Sequence, residues 1–299
     1  MPSRCFATAT LLSGLLSHGL AAQAPRLSVA PTHPNPGSIV RVTLVETAPR
    51  ADSVVVINGS MAGEALHFIP AGPDTWHAIG AIPVDAPANL TAEVILEHTS
   101  GSADTIRTAV APYHPPPARG TVRRRRLAVS SRFTQPLDSA AELRIARENA
   151  RAKEVGRQSH NTPRLWTAPF LRPRKSRVTS RFGSGRVFNG RVTSSHLGVD
   201  FSGARGAPVL ASNRGVVALA DNFFLAGNVV YIDHGGGVVT GYFHLSKTLV
   251  STGDTVARGQ KIGLVGATGR VTGPHLHWSA RYGALTVDPL GLVALGRGW

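Results

Sequence analysis

The apolar residues of this chain come in short alternating runs interrupted by turn residues, the two-residue period of a half-buried strand. Ser38-Ile39-Val40-Arg41-Val42-Thr43-Leu44 alternates strongly. So do Ser53-Val54-Val55-Val56-Ile57, ahead of Asn58-Gly59, and Leu90-Thr91-Ala92-Glu93-Val94-Ile95-Leu96. The habit returns beyond Val178. Gly227 to Asp233 and Val238 to His244 form two strands joined by Gly235-Gly236-Gly237, with further strands at Gln260 to Val265 and Pro274 to Tyr282. Runs of this length with turn signals between them predict a mainly β fold of antiparallel hairpins. The 299 residues, 32 of them glycine and 21 proline, suffice for two such domains.

Residues 26–113 have the pattern of a small immunoglobulin-like β-sandwich. His67, His77 and His98 are scattered through it as ordinary surface or edge residues, which suggests a targeting or spacing module. His114-Pro115-Pro116-Pro117 opens an extended connector over 114–170. Within the connector, Ser139-Ala140-Ala141-Glu142 has the form of a capping box heading one helix at about 139–155. Leu143, Ala146 and Ala150 trace its apolar stripe, and Trp166 and Phe170 are placed to anchor the connector on a domain over 171–299.

Arg4, the apolar run from Phe6 to Leu20 and the small residues Ala21, Ala22 and Ala24 predict an export signal over residues 1–22. The run is too short to span a bilayer as a helix. The expected location is the periplasm or the medium, with membrane attachment only if the signal stays uncleaved. The single cysteine, Cys5, excludes an intramolecular disulfide and a cysteine-ligated zinc site. A net charge of +15 and the run Arg123-Arg124-Arg125-Arg126 predict attraction to anionic partners, weakening with salt. The signal and the lack of a recognisable nucleic-acid module argue for envelope polymers over specific nucleic-acid binding.

Beyond Glu154 there is neither glutamate nor cysteine, so any metal or acid–base chemistry there falls to Asp and His. As a strand, Gly273-Pro274-His275-Leu276-His277-Trp278-Ser279-Ala280-Arg281 puts His275, His277, Ser279 and Arg281 on one face. Leu276, Trp278 and Ala280 take the other face, toward the core. The two imidazoles, about 6–7 Å apart along the strand, can both reach a metal, or one can bind while the other works on a water. In Ser195-His196-Leu197-Gly198-Val199-Asp200-Phe201, a His and an Asp four apart can converge on one ion across a glycine bend. Catalytic zinc takes three such ligands at about 2.0–2.2 Å plus water. In Gly241-Tyr242-Phe243-His244-Leu245, strand parity puts Tyr242 and His244 on one face and Phe243 on the other. A neutral His244 there could accept a proton or stabilise an oxyanion. His234 is read as a turn residue and Asp288 as a turn or cap.

The order His196-x-x-x-Asp200, Tyr242-x-His244-Leu245, Gly273-Pro274-His275-Leu276-His277 resembles the M23 family of zinc metallopeptidases, the lysostaphin and LytM-type cell-wall endopeptidases. The resemblance runs from about Pro169 to Pro289, including Arg181-Phe182-Gly183, Gly253-Asp254 and Gly266-x-Thr268-Gly269-Arg270. It implies a duplicated hybrid motif fold and one zinc per chain on His196, Asp200 and His277. It also implies His244 and His275 as the catalytic pair, and peptidoglycan peptides as substrate. The alternative within the family is a non-catalytic regulator that activates an amidase, which would need a damaged site. All five positions are filled.

Overall fold

The computed structural model describes residues 24–46, 53–114, 125–133, 136–190 and 192–296. The expected signal over 1–22, Cys5, the three prolines and Arg123 and Arg124 lie outside the described residues. The first strands are β1 (Arg26–Ala30), β2 (Ile39–Val45), β3 (Val54–Met61), β4 (Glu64–Leu66), β5 (Ile69–Gly72), β6 (Thr75–Ala81), β7 (Leu90–His98) and β8 (Ala103–Val110). They form two antiparallel sheets, ordered β1-β2-β6-β5 and β4-β3-β7-β8. Alternation fixes which face goes inward: Val40 and Val42 of one sheet meet Met61, Leu66 and Ala92 of the other in a shared core. The β-sandwich stands.

β9 (Arg125–Leu127) and the helix α1 (Ser139–Gln158) follow. The helix starts one residue earlier than the capping box implies: its N-cap is Asp138, whose carboxylate accepts from the Ala141 N–H, 2.7 Å. Its buried face is also another one. Leu143 is 64% exposed, whereas Glu148, Ala152 and Gly156 are buried. Glu148 turns inward because it has partners there, the Phe224 N–H at 2.8 Å and Arg144 at 2.7 Å. Gly156 lets the helix touch the next domain, since a Cβ there would lie 1.9 Å from the Gly283 carbonyl oxygen. Gly156→Ala is therefore expected to lower stability by about 2 kcal/mol through overpacking. Alanine is otherwise the better helix former by about 1 kcal/mol, so a raised melting temperature would refute the contact.

The remaining strands are β10 (Val178–Ser180), β11 (Gly185–Phe188), β12 (Val192–Ser195), β13 (Val199–Ser202), β14 (Pro208–Leu210), β15 (Gly215–Phe223) and β16 (Gly227–Gly235). They continue with β17 (Val238–Thr248), β18 (Thr255–Val256), β19 (Lys261–Val265), β20 (His275–Tyr282) and β21 (Leu285–Val287), before the short helix α2 (Pro289–Ala294). Ten of them make one sheet with the spine β10-β13-β20-β17-β16-β15-β18, all antiparallel. A small sheet β12-β11-β9 stands beside it, its β9–β11 pair parallel. Leu276, Trp278 and Ala280 are buried, as alternation along β20 requires. Asp288 caps α2, accepting from the Leu290 N–H at 2.9 Å.

The sandwich is packed firmly on this domain. Ile39, Ile79 and Ala81 share one core with Trp166, Phe170, Ala280, Tyr282 and Leu292. The anchoring role read for Trp166 and Phe170 holds. His67 and His98 of the sandwich are not ordinary surface residues, however. His67 Nε2 lies 2.8 Å from His160 Nδ1, and His160 Nε2 lies 2.9 Å from Glu64, which also accepts from the Ala284 N–H. His98 is buried beside Asp104, 3.1 Å away. These partners sit on other elements, in the case of His67 and His160 93 positions apart, which local sequence does not register.

Candidate metal centre

Antiparallel pairing of β13 with β20 places Asp200 directly opposite His277. His196 enters from the loop between β12 and β13. The turn at Gly198 carries it over β20 so closely that a Cβ on Gly198 would lie 2.6 Å from the His277 ring. Three donor atoms meet there: His196 Nε2 and Asp200 Oδ1 are 3.0 Å apart, His277 Nδ1 and Asp200 Oδ1 2.9 Å, and the two imidazole nitrogens 2.9 Å. All three residues are buried. A divalent ion with bonds of about 2.0–2.2 Å spans such a set with a few tenths of an ångström of expansion. The donor chemistry, two imidazoles and one carboxylate, fits the same ion.

The groups behind the donors fix their orientation. His196 Nδ1 faces the Arg181 carbonyl at 2.9 Å and the Ser180 hydroxyl at 3.1 Å. A carbonyl only accepts, so Nδ1 carries the proton and Nε2 keeps a lone pair. Arg186 donates to Asp200 Oδ2 and, at 3.2 Å, to Ser180 Oγ, leaving Oδ1 for the shared centre. Burial alone would raise the Asp200 pKa, but the adjacent His196 and His277 side chains outweigh it and hold the carboxyl well below its usual range. Burial pushes His277 down to about 4 against the pull of Asp200. An ionised carboxylate beside neutral imidazoles is the state that offers lone pairs to a cation.

Two more histidines face this spot. The His244 and His275 rings are 5.0 Å apart, and His275 Nε2 is 3.7 Å from Asp200 Oδ1. Each donates Nδ1–H to a carbonyl, His244 to Thr268 and His275 to Gly273, both at 2.8 Å, which leaves Nε2 as the acceptor. Burial, together with the nearby His275 and His277, lowers the His244 pKa well below its ordinary value.

Strand parity misjudges how His244 gets there. Asn228 pairs with Leu245 and Val230 with Tyr242, so Phe243 and His244 together oppose Val229 alone. That is a β-bulge, with His244 at φ +61°. Tyr242 points into the core, where its hydroxyl accepts from the Ser212 N–H at 2.8 Å and from Thr240 at 2.9 Å. Phe243 turns to the site and stacks on His277, ring centroids 5.1 Å apart.

His234 stays out of the cluster, but it is more than a turn residue. It is fully buried, with Nδ1 on the Arg214 carbonyl and Nε2 on Thr240 Oγ1, both 2.8 Å. Burial lowers its pKa from 6.5 to about 4. The unfolded chain therefore binds a proton that the folded chain refuses. This stability is complete above about pH 6.5 and is lost as pH falls toward 4, about 3 kcal/mol in all and about 2 kcal/mol by pH 5. The urea midpoint of metal-free protein should drop accordingly between pH 7 and pH 5; an unmoved midpoint would contradict the buried neutral state.

A cavity of about 350 Å³ opens beside the cluster, lined by His196, His244, His277 and Arg186 and walled by Ile145, Glu148, Asn149 and Ala152 of α1. The helix read as linker is thus one wall of the cleft. Neither it nor Arg186 could be singled out from sequence, because no local pattern marks a side chain that meets its partner only through tertiary packing.

The model of Peptidase family M23 matches residues 194–289, which contain all five clustered residues. Residues 194–289 form a peptidase family M23 domain. The chain is 49% identical over 105 residues to peptidoglycan DD-endopeptidase ShyA of Vibrio cholerae, 35% of this chain and 24% of that protein. It is 43% identical over 98 residues to the DD-carboxypeptidase/endopeptidase Mpg of Neisseria meningitidis, 33% of this chain and 23% of the relative. The chain thus spans about a quarter of the length of these curated relatives. A crystal structure from Pseudomonas aeruginosa, assigned to peptidase M23, is 26% identical with a TM-score of 0.64 and covers 87% of this chain and 95% of its own. That likeness extends well beyond the M23 segment itself.

Proposed function

We propose that this M23 metallopeptidase is a zinc-dependent endopeptidase acting on peptide cross-links of bacterial peptidoglycan outside the cytoplasm. The observation that carries the reading is the convergence of His196 Nε2, Asp200 Oδ1 and His277 Nδ1 within 3.0 Å, with two further imidazoles facing them. Its substrate class is supported by relatives named as peptidoglycan DD-endopeptidases. In this proposal the three residues hold the zinc. When bound, zinc supplies a Lewis acid for the scissile carbonyl and a water acidified toward neutrality.

The chain's own groups do the rest. His244 and His275 turn their Nε2 atoms toward the site, positioned by their Nδ1 bonds to backbone carbonyls. One takes the proton of the attacking water, and the other stabilises the charge developing on the carbonyl oxygen. This is the work a glutamate does in zinc peptidases that have one nearby; Glu148, which lines the cleft here, is engaged with the Phe224 N–H and Arg144. Arg186 holds the second oxygen of Asp200. Phe243 supports the His277 ring from one face. The test is digestion of purified sacculi with and without a zinc chelator, read by muropeptide analysis. New free termini that vanish with chelator are expected. Their absence at every zinc concentration would end the hydrolase reading.

A further inference from the structure

Arg270 of the cleft has no carboxylate partner among the described residues. Arg270 projects from the loop between β19 and β20, its guanidinium carbon 4.3 Å above the centre of the Phe188 ring. It is half-buried, and no carboxylate among the described residues bonds or pairs with it. Its charged neighbour is Arg186, of the same sign, and Arg186 is already engaged with Asp200. Arg270, Arg186, Phe188 and His244 line both the cavity on the α1 side and a second one, about 270 Å³, on the side of His275 and Asp200. The loop is held in place: the Arg270 N–H donates to the Leu225 carbonyl at 2.8 Å, and the carbonyl of Thr268, two residues earlier, holds His244 Nδ1.

Half-burying a guanidinium next to another without an anion is costly, and the cost is recovered when an anion arrives. The guanidinium lies over the Phe188 ring, and no hydrogen bond among the described residues uses its N–H donors, so its planar fork can grip a carboxylate by two bonds. We propose that Arg270 receives a free carboxylate of the substrate peptide, carried by a residue directly beside the scissile amide. This rests on the hydrolase reading and narrows it to cross-links whose amine-donating residue keeps a free carboxyl group, as diaminopimelate does, rather than a neutral glycine bridge.

The test uses two synthetic cross-linked stem peptides that differ only in that carboxyl group, free in one and amidated in the other. With zinc-loaded protein the free acid should be cut with a kcat/KM about ten- to a hundredfold higher, the range of a hydrogen bond between charged groups. Arg270→Gln should bring the ratio close to one by slowing the acid and sparing the amide. Arg270→Lys, which keeps the charge but not the fork, should fall between. An unchanged ratio in Arg270→Gln, or a wild-type preference for the amide, would overturn the proposal. If neither peptide is cut, the hydrolase reading fails separately, and calorimetric titration of both peptides decides this one. Tighter binding of the acid, lost in Arg270→Gln, upholds it; equal binding or none refutes it.

Discussion

Alanine at His277 is expected to leave the purified protein without bound zinc and to cut kcat/KM on peptidoglycan peptides by at least about a thousandfold. A catalytic metal supplies several kcal/mol of transition-state stabilisation, and each 1.36 kcal/mol is tenfold in rate. His277 is also the hub of the cluster, 2.9 Å from both Asp200 Oδ1 and His196 Nε2. The fold should survive the change. Phe243 loses a stacking partner, worth about 1 kcal/mol, but Trp278 and Leu276 on the opposite face of β20 keep their core. Zinc content, melting temperature and muropeptide release, measured on one preparation, separate the cases. A variant that is folded, holds one zinc per chain and retains a tenth of the activity would show that the ligand set is wrong.

What could be read from sequence was what depends on local periodicity. Alternation located β2, β3 and β7, because a two-residue period with one buried face has a single consistent register, while glycine turns bracketed β16, β17, β19 and β20. His196 and Asp200 could be drawn together across the bend at Gly198, but the choice of His277 over His275 as the third ligand came from the resemblance to the M23 family, since spacing along the strand leaves both within reach. The failures share a cause: each turns on a partner far away in sequence. Glu148 faces inward against the apolar stripe because the Phe224 N–H awaits it. His67 is bound by His160, and Arg186 by Asp200. The bulge at Phe243-His244 is the sharpest case, since no glycine marks the left-handed position and strand parity gives the wrong faces.

That same bulge allows fold and chemistry to be separated by one substitution. At φ +61° any residue other than glycine pays about 1–2 kcal/mol in backbone strain, a cost that glycine avoids. His244→Gly therefore gains in the backbone while it loses the imidazole and its bond to the Thr268 carbonyl. The two changes nearly cancel, so the melting temperature should move by only a few degrees. Zinc content should stay at one per chain, because His244 is not among the three converging donors. The rate should fall by about a hundred- to ten-thousandfold, the range for losing a general acid–base group. If His244→Gly keeps full activity, the proton transfer belongs to His275 alone. If it loses zinc as well as activity, His244 must be counted with the metal ligands instead.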